Sequence, residues 1–179
     1  MNQLPSLASL GRRIMIMGTT NAGKSTLGNA IGHKLGIPAV HADVLYHQPN
    51  TDWEPRPKAE FLALHAAAIQ ETEWVMDGNY SSTLPERLAR ATGVILLDDD
   101  MLTRTRRYFW RTLIQKQRAG GLEGNQDSLK WSMLHWIWHT RNSAAKYRQM
   151  AIESGLPFVA AYSSRELNAL YATWNLKRG

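Results

Sequence analysis

The segment Gly18-Thr-Thr-Asn-Ala-Gly-Lys-Ser25 satisfies the pattern G-x-x-x-x-G-K-[ST] in full. Each residue type there has a physical job. Glycines let a backbone fold around phosphate so that successive N–H groups point inward, and a helix starting near Lys24 would add its positive N-terminal end. Lys24 has the reach for β- and γ-phosphates, and the Ser25 hydroxyl is a ligand type for Mg²⁺. A chance match in a chain of this size is expected on the order of one per cent of the time, so the motif is taken as a phosphate cradle. Gly18, Thr19, Thr20, Asn21, Ala22, Gly23, Lys24, Ser25 and Thr26 are the candidate nucleotide-binding residues. The Asn/Thr-Lys-x-Asp element that reads guanine is absent from the chain. ATP is therefore the expected nucleotide.

Such a cradle normally works with an Asp at the end of a neighbouring strand, which holds the magnesium shell. Two residues qualify by pattern: Asp77 after Trp74-Val-Met76, and Asp98 after Val94-Ile-Leu-Leu97. Pattern alone does not choose between them. Asp43, in His41-Ala-Asp-Val-Leu-Tyr-His47, stands where a further strand should end. Ligands of open α/β sheets bind beyond the carboxyl ends of the strands, so all three carboxylates are candidates for one crevice. Each could instead cap a helix or face solvent in a turn.

The elements that must position these groups follow from the apolar runs. Arg13–Met17 reads as a buried strand running into the cradle, followed by a helix to about Leu35 that ends at Gly36 and Pro38. Ile37–Leu45 reads as a second strand and Pro55–Gln70 as a helix. Trp74–Met76 is a third strand, Leu84–Ala91 a short helix and Gly93–Leu97 a fourth strand. Pro157–Tyr162 is the expected fifth strand and Ser164 to about Trp174 a terminal helix. Apolar strands alternating with helices predict a parallel sheet covered on both faces. The stretch between the fourth and fifth strands is far longer than the dozen or so residues a crossover needs. Two helices, about Met101–Arg118 and Asp127–Ser154, fill it around the turn-rich Ala119–Asn125. It reads as a lid-like insert, about 101–154, within a single domain covering 1–179.

Composition bounds the rest. Of the 179 residues, 44% are hydrophobic and 20% charged, which is a globular balance. No apolar run approaches the roughly 18 residues of a membrane span, so no membrane partner is expected. The chain has no cysteine, which excludes disulfides, thiolate metal sites and cysteine nucleophiles, and fits a cytoplasmic setting. A net charge of +6 implies an anionic partner, which phosphorylated small molecules satisfy as well as nucleic acid does.

Taken together, these motifs resemble the nucleoside-monophosphate-kinase branch of P-loop proteins, and within it the bacterial adenylate-kinase-like topology modulation proteins (FlaR-related). The resemblance rests on Gly18–Thr26, Leu35-Gly-Ile-Pro38 leading to His41-Ala-Asp43, Asp77-Gly-Asn-Tyr80, Leu97-Asp98 and Trp136-Ile-Trp-His-Thr-Arg141. It implies an α/β fold: a three-layer P-loop NTPase with a five-stranded parallel sheet of order 2-3-1-4-5 and a lid after the fourth strand. It also selects Asp77 over Asp98, because Asp77-Gly78 resembles the Asp-Gly of adenylate kinases whose Asp orders the magnesium waters. Adenylate kinases continue with Phe-Pro-Arg, whereas Asn79-Tyr80-Ser81 stands here. The arginine that grips the acceptor phosphate is missing from that position, which puts AMP as acceptor in doubt.

The insert is basic. On a helix Arg104, Arg107, Arg111 and Arg118 fall within about 60° of one another, opposite Leu102, Phe109 and Leu113. In the second helix Lys130, Arg141 and Arg148 border a stripe of Met133, Ile137, Ala144 and Ala151. Arg104, Arg107 and Arg141 are the expected lid contacts, neutralising charge on the transferred phosphoryl oxygens as closure excludes water. Trp110, Trp131, Trp136 and Trp138 could stack bases, but their helical spacing favours core packing. His135 and His139 share a helix face but lack the following Glu of a zinc motif. The leading expectation is an ATP- and Mg²⁺-dependent phosphotransferase acting on a small acceptor, a nucleotide among the candidates. Lys24 and Asp43 are its expected catalytic residues and Ser25 and Asp77 its metal ligands. The rivals are a nucleic-acid-associated ATPase, for which no motif speaks, and a non-catalytic ATP-binding switch. Neither the acceptor nor the oligomeric state is written in any pattern.

Overall fold

In the computed structural model, which describes residues 4–100, 102–106 and 143–178, the alternating apolar segments form one parallel sheet. The strands are β1 (Arg13–Gly18), β2 (Ala39–His41), β3 (Trp74–Asp77), β4 (Gly93–Leu97) and β5 (Phe158–Ala161). Their order is β2-β3-β1-β4-β5, and every pairing is parallel. The helices among the described elements are α1 (Lys24–Leu35), α2 (Ala42–Tyr46), α3 (Lys58–Gln70), α4 (Leu84–Arg90), α5 (Ser143–Glu153) and α6 (Ser164–Thr173).

The period of two along each strand divides the core into two layers. Ile14, Ile16, Val75, Ile95, Leu97 and Val159 face one side, where Leu27 and Ile31 of α1 and Leu167, Leu170 and Tyr171 of α6 cover them. Met15, Met17, Trp74, Met76, Val94 and Leu96 face the other, against Ile69 of α3, Leu84 of α4 and Ala151 of α5. Both faces of the central strands are therefore buried, which is why they read as unbroken apolar runs rather than alternating ones.

Two elements differ from the sequence reading by more than two residues at an end. The second strand is only Ala39–His41, and Ala42–Tyr46 turns at once into a short helix. The cause is at the sheet end: Ala42 is fully buried against Gly78, where a Cβ on the glycine would stand 2.6 Å from that of Ala42. Helix α3 starts at Lys58 rather than Pro55, with Pro57 as its N-cap. The amphipathic expectation for the first insert helix also needs correcting at its start, because Leu102 is 79% exposed and Arg104 is buried. Arg104 faces the protein, whereas Arg106 is exposed. In the second insert helix, Ala144 and Ala151 are buried as their stripe predicts.

Candidate functional site

The cradle lies at the carboxyl end of β1, between that strand and α1. Gly18 has φ +140, and a Cβ there would stand 1.8 Å from the Leu97 carbonyl oxygen, so the close approach of β1 to β4 requires a glycine. The next amide, Thr19 N–H, donates to that same carbonyl at 3.0 Å. Asn21 takes a left-handed φ of +63 at the top of the loop. Lys24 Nζ donates to the Thr19 carbonyl at 2.8 Å, which lays its side chain along the loop. Helix α1 carries no acidic residue in its first turn, leaving its positive end uncompensated toward the loop.

Two side chains from other segments hold the cradle from outside. Asn79 grips Gly18 with both ends of its amide: its Oδ1 accepts from Gly18 N–H at 3.3 Å, and its Nδ2 donates to the Gly18 carbonyl. Arg104 Nε donates to the Thr20 carbonyl at 2.8 Å, and its side chain is buried. Burial also lowers the Arg104 pKa, against the opposing pull of Asp98, Asp99 and Asp100.

Ser25 and Asp77 meet. The Ser25 hydroxyl donates to Asp77 Oδ2 at 2.5 Å, while His41 Nδ1 donates to Asp77 Oδ1 at 2.8 Å. His41 Nε2 lies 2.8 Å from the side-chain amide of Asn29, so the row Ser25–Asp77–His41–Asn29 is continuous. Register explains the meeting, since Asp77 is paired with Ile16 on one side and His41 on the other. Burial alone would raise the Asp77 pKa. Hydrogen bonding and charge from His41, the Ser25 hydroxyl and the Lys24 charge outweigh it and hold the carboxyl below its usual range. Hard oxygens of a hydroxyl and an ionised carboxylate are the donor set Mg²⁺ takes. Among the described residues no group of three or more potential ligands stands ready to cage a metal by itself.

Asp43 lies in the first turn of α2, where Tyr80 O–H donates to its Oδ1 at 2.7 Å. Burial and the neighbouring Asp43 push the Tyr80 phenol well above its ordinary pKa, so it remains a donor. Behind this turn Arg87 is fully buried. It donates to the Gly78 carbonyl at 2.7 Å, to Thr83 Oγ1 at 3.2 Å and to His65 Nε2 at 3.2 Å. Burial lowers Arg87 to about 10, and burial with the Arg87 charge drops His65 to about 4.

Asp98 lies on the β4 flank of the cradle, opposite Asp77: it lines a small pocket with Ala22, Asp99, Ser163 and Leu167, and burial raises its pKa against the opposing pull of Thr19 and Arg104. The carboxylate that touches Ser25 is that of Asp77. Thr26 is exposed at the start of α1, and Ala22 is buried beneath the loop. Arg107, Arg111, Arg118, Lys130 and Arg141, with the insert's tryptophans and His135 and His139, lie outside the described residues. Sequence reasoning missed His41, Asn29, Asn79 and Arg87 as members of the site. Asn79 carried a signal as part of Asp77-Gly-Asn-Tyr80, whereas a buried arginine in an amphipathic helix carries none.

No protein-family model matches the chain, and no curated protein matches it either. Among solved structures it is similar to a gluconokinase from Sinorhizobium meliloti 1021, at 17% identity and a TM-score of 0.51 over 92% of this chain and 90% of that one. A shikimate kinase from Bacteroides thetaiotaomicron is matched at 16% identity and a TM-score of 0.48 over 91% and 98% of the two chains. At such identities the gluconokinase likeness is one of fold: an α/β fold with a parallel sheet of order 2-3-1-4-5.

Proposed function

We propose that this chain is a P-loop phosphotransferase that moves the γ-phosphoryl group of ATP to a small acceptor. The observation that carries the reading is the 2.5 Å contact between Ser25 and Asp77 beside a complete phosphate cradle on a kinase-like sheet. The loop amides and Lys24 bind the phosphates, and Lys24 must leave the Thr19 carbonyl to reach them. Ser25 and Asp77 hold Mg²⁺, which when bound supplies charge neutralisation at the phosphate oxygens. Asp43 orients the acceptor and takes its proton where the acceptor is an alcohol. Arg104 supports the loop through Thr20 and, with Arg107 and Arg141, covers the nucleotide. The lack of cysteine fits a cytoplasmic site of action. The FlaR-like motifs Asp77-Gly-Asn-Tyr80 and Trp136-Ile-Trp138 support placement in the topology modulation subgroup.

The test is release of ADP from ATP and Mg²⁺ against nucleoside monophosphates, nucleosides and small hydroxylated metabolites, with DNA and RNA in separate wells. Acceptor-dependent release that disappears in Lys24→Ala is expected, together with weaker ATP binding by that variant. Full activity in Lys24→Ala would overturn the site, and stimulation by nucleic acid alone would replace the kinase with an ATPase.

A further inference from the structure

Resting on that reading, we propose that the acceptor is an unphosphorylated alcohol carried on a ring, a nucleoside or a sugar, and that it binds against the aromatic row beginning at Asp43. Tyr80, whose hydroxyl fixes Asp43 Oδ1, lies 4.6 Å from Tyr46 between ring centroids. Tyr46 meets His47 edge-on at 4.8 Å, and His47 meets Trp53 at 5.1 Å. All four residues are partly buried, and Tyr46 and Tyr80 pack on the buried Phe61 at 5.1 and 5.2 Å, so the row is the accessible margin of an anchored aromatic cluster. Trp53 is held at φ +62, a left-handed conformation that a bulky residue adopts only when its surroundings enforce it. A row of rings ending in a carboxylate matches a ligand with an apolar or π face and a hydroxyl at its edge.

Among the described residues, the charges beside this row oppose a phosphorylated acceptor. Asp43, just after β2, and Asp77, the last residue of β3, lie at the same sheet end, and both act on the buried Arg87 and on Tyr80. A second phosphate placed against the row would meet the exposed Asp43 carboxylate. Arg87 is spent on Gly78, Thr83 and His65 behind the wall, and Arg56 pairs with Glu60 at 2.7 Å. For an alcohol the step balances simply. The hydroxyl oxygen bonds to the γ-phosphorus, and the bond from that phosphorus to the β–γ bridging oxygen breaks. Its electron pair leaves on ADP, and the hydroxyl proton passes to the Asp43 carboxylate and then to water.

Phosphorus NMR separates the outcomes. Wild-type protein with ATP and Mg²⁺ is given one pool of nucleosides and monosaccharides, and separately the corresponding monophosphates. A new phosphomonoester in the first pool is expected at least ten times faster than any new phosphoanhydride in the second. Asp43→Asn should cut that rate by about a hundredfold or more, the range of a lost general base, with binding of a fluorescent ATP analogue held within about twofold. A phosphoanhydride product that dominates would overturn the proposal. So would a protein that binds the analogue in a Lys24-dependent manner yet yields no product from either pool. Failure to bind the analogue would instead overturn the nucleotide reading beneath it.

Discussion

At the residue scale, the row from Ser25 through Asp77 and His41 to Asn29 makes a specific demand on position 41. His41 supplies one N–H to Asp77 Oδ1, fixing the carboxylate so that Oδ2 stays on Ser25. His41→Ala should free Asp77 to rotate and weaken Mg²⁺-dependent nucleotide binding by roughly tenfold, the effect of one hydrogen bond to a charged group at about 1.5 kcal/mol. His41→Asn, whose amide can donate from nearly the position of Nδ1, should restore most of it. Titrating Mg²⁺ against a fluorescent ATP analogue decides the matter: equal Mg²⁺ requirements in wild type and His41→Ala would mean that the histidine does not position the carboxylate. The cradle was legible from sequence because all of its residues are contiguous and backbone-determined. Asn29, His41 and Arg87 were not, because His41 joins the site through strand register, Asn29 through its contact with His41 across from α1, and Arg87 through burial.

At the element scale, the strands were readable because both their faces are buried, and the ends of the second strand were not, because Ala42–Tyr46 suits a strand and a helix equally. What decides is the contact of Ala42 with Gly78, made across the sheet. The start of β4 carries a comparable tertiary constraint. A Cβ on Gly93 would stand 2.6 Å from the Leu10 carbonyl oxygen and 2.8 Å from Leu10 Cα. The short 3-10 turn Leu7–Leu10 docks there, with Thr92 Oγ1 donating to the Leu10 carbonyl at 2.8 Å and accepting from Arg13 N–H at 2.9 Å. Gly93→Ala must push this turn away from the sheet and uncover Leu7 and Leu10, both buried. A loss of about 2 kcal/mol is expected, typical of overpacking against backbone. Urea unfolding checks it, and a loss below about 0.5 kcal/mol would show that the N-terminal turn is not part of the cooperative unit.

At the scale of the whole molecule, buried titratable groups tie folding to pH in a direction that can be worked out. His65 is fully buried and accepts a hydrogen bond from Arg87, so it must be neutral in the folded protein. Burial and the Arg87 charge lower it from 6.5 to about 4. Between those values the unfolded chain binds the proton and the folded one does not, so stability falls as the pH is lowered from about 6.5 to about 4. A shift of that size corresponds to on the order of 3 kcal/mol. Asp77 adds a second, lower window. Held below its ordinary 3.8, it contributes stability above that pH that is lost as the carboxyl protonates below it. The two windows are separable by mutation. Glutamine at position 65 can still accept from Arg87 through its carbonyl oxygen but does not titrate. His65→Gln should therefore flatten the stability profile between pH 6.5 and 4 and leave the loss below that window. Urea melts across pH 3 to 7 provide the test, and an unchanged slope in the upper window would place the acid sensitivity of the fold in groups other than the buried His65–Arg87 pair.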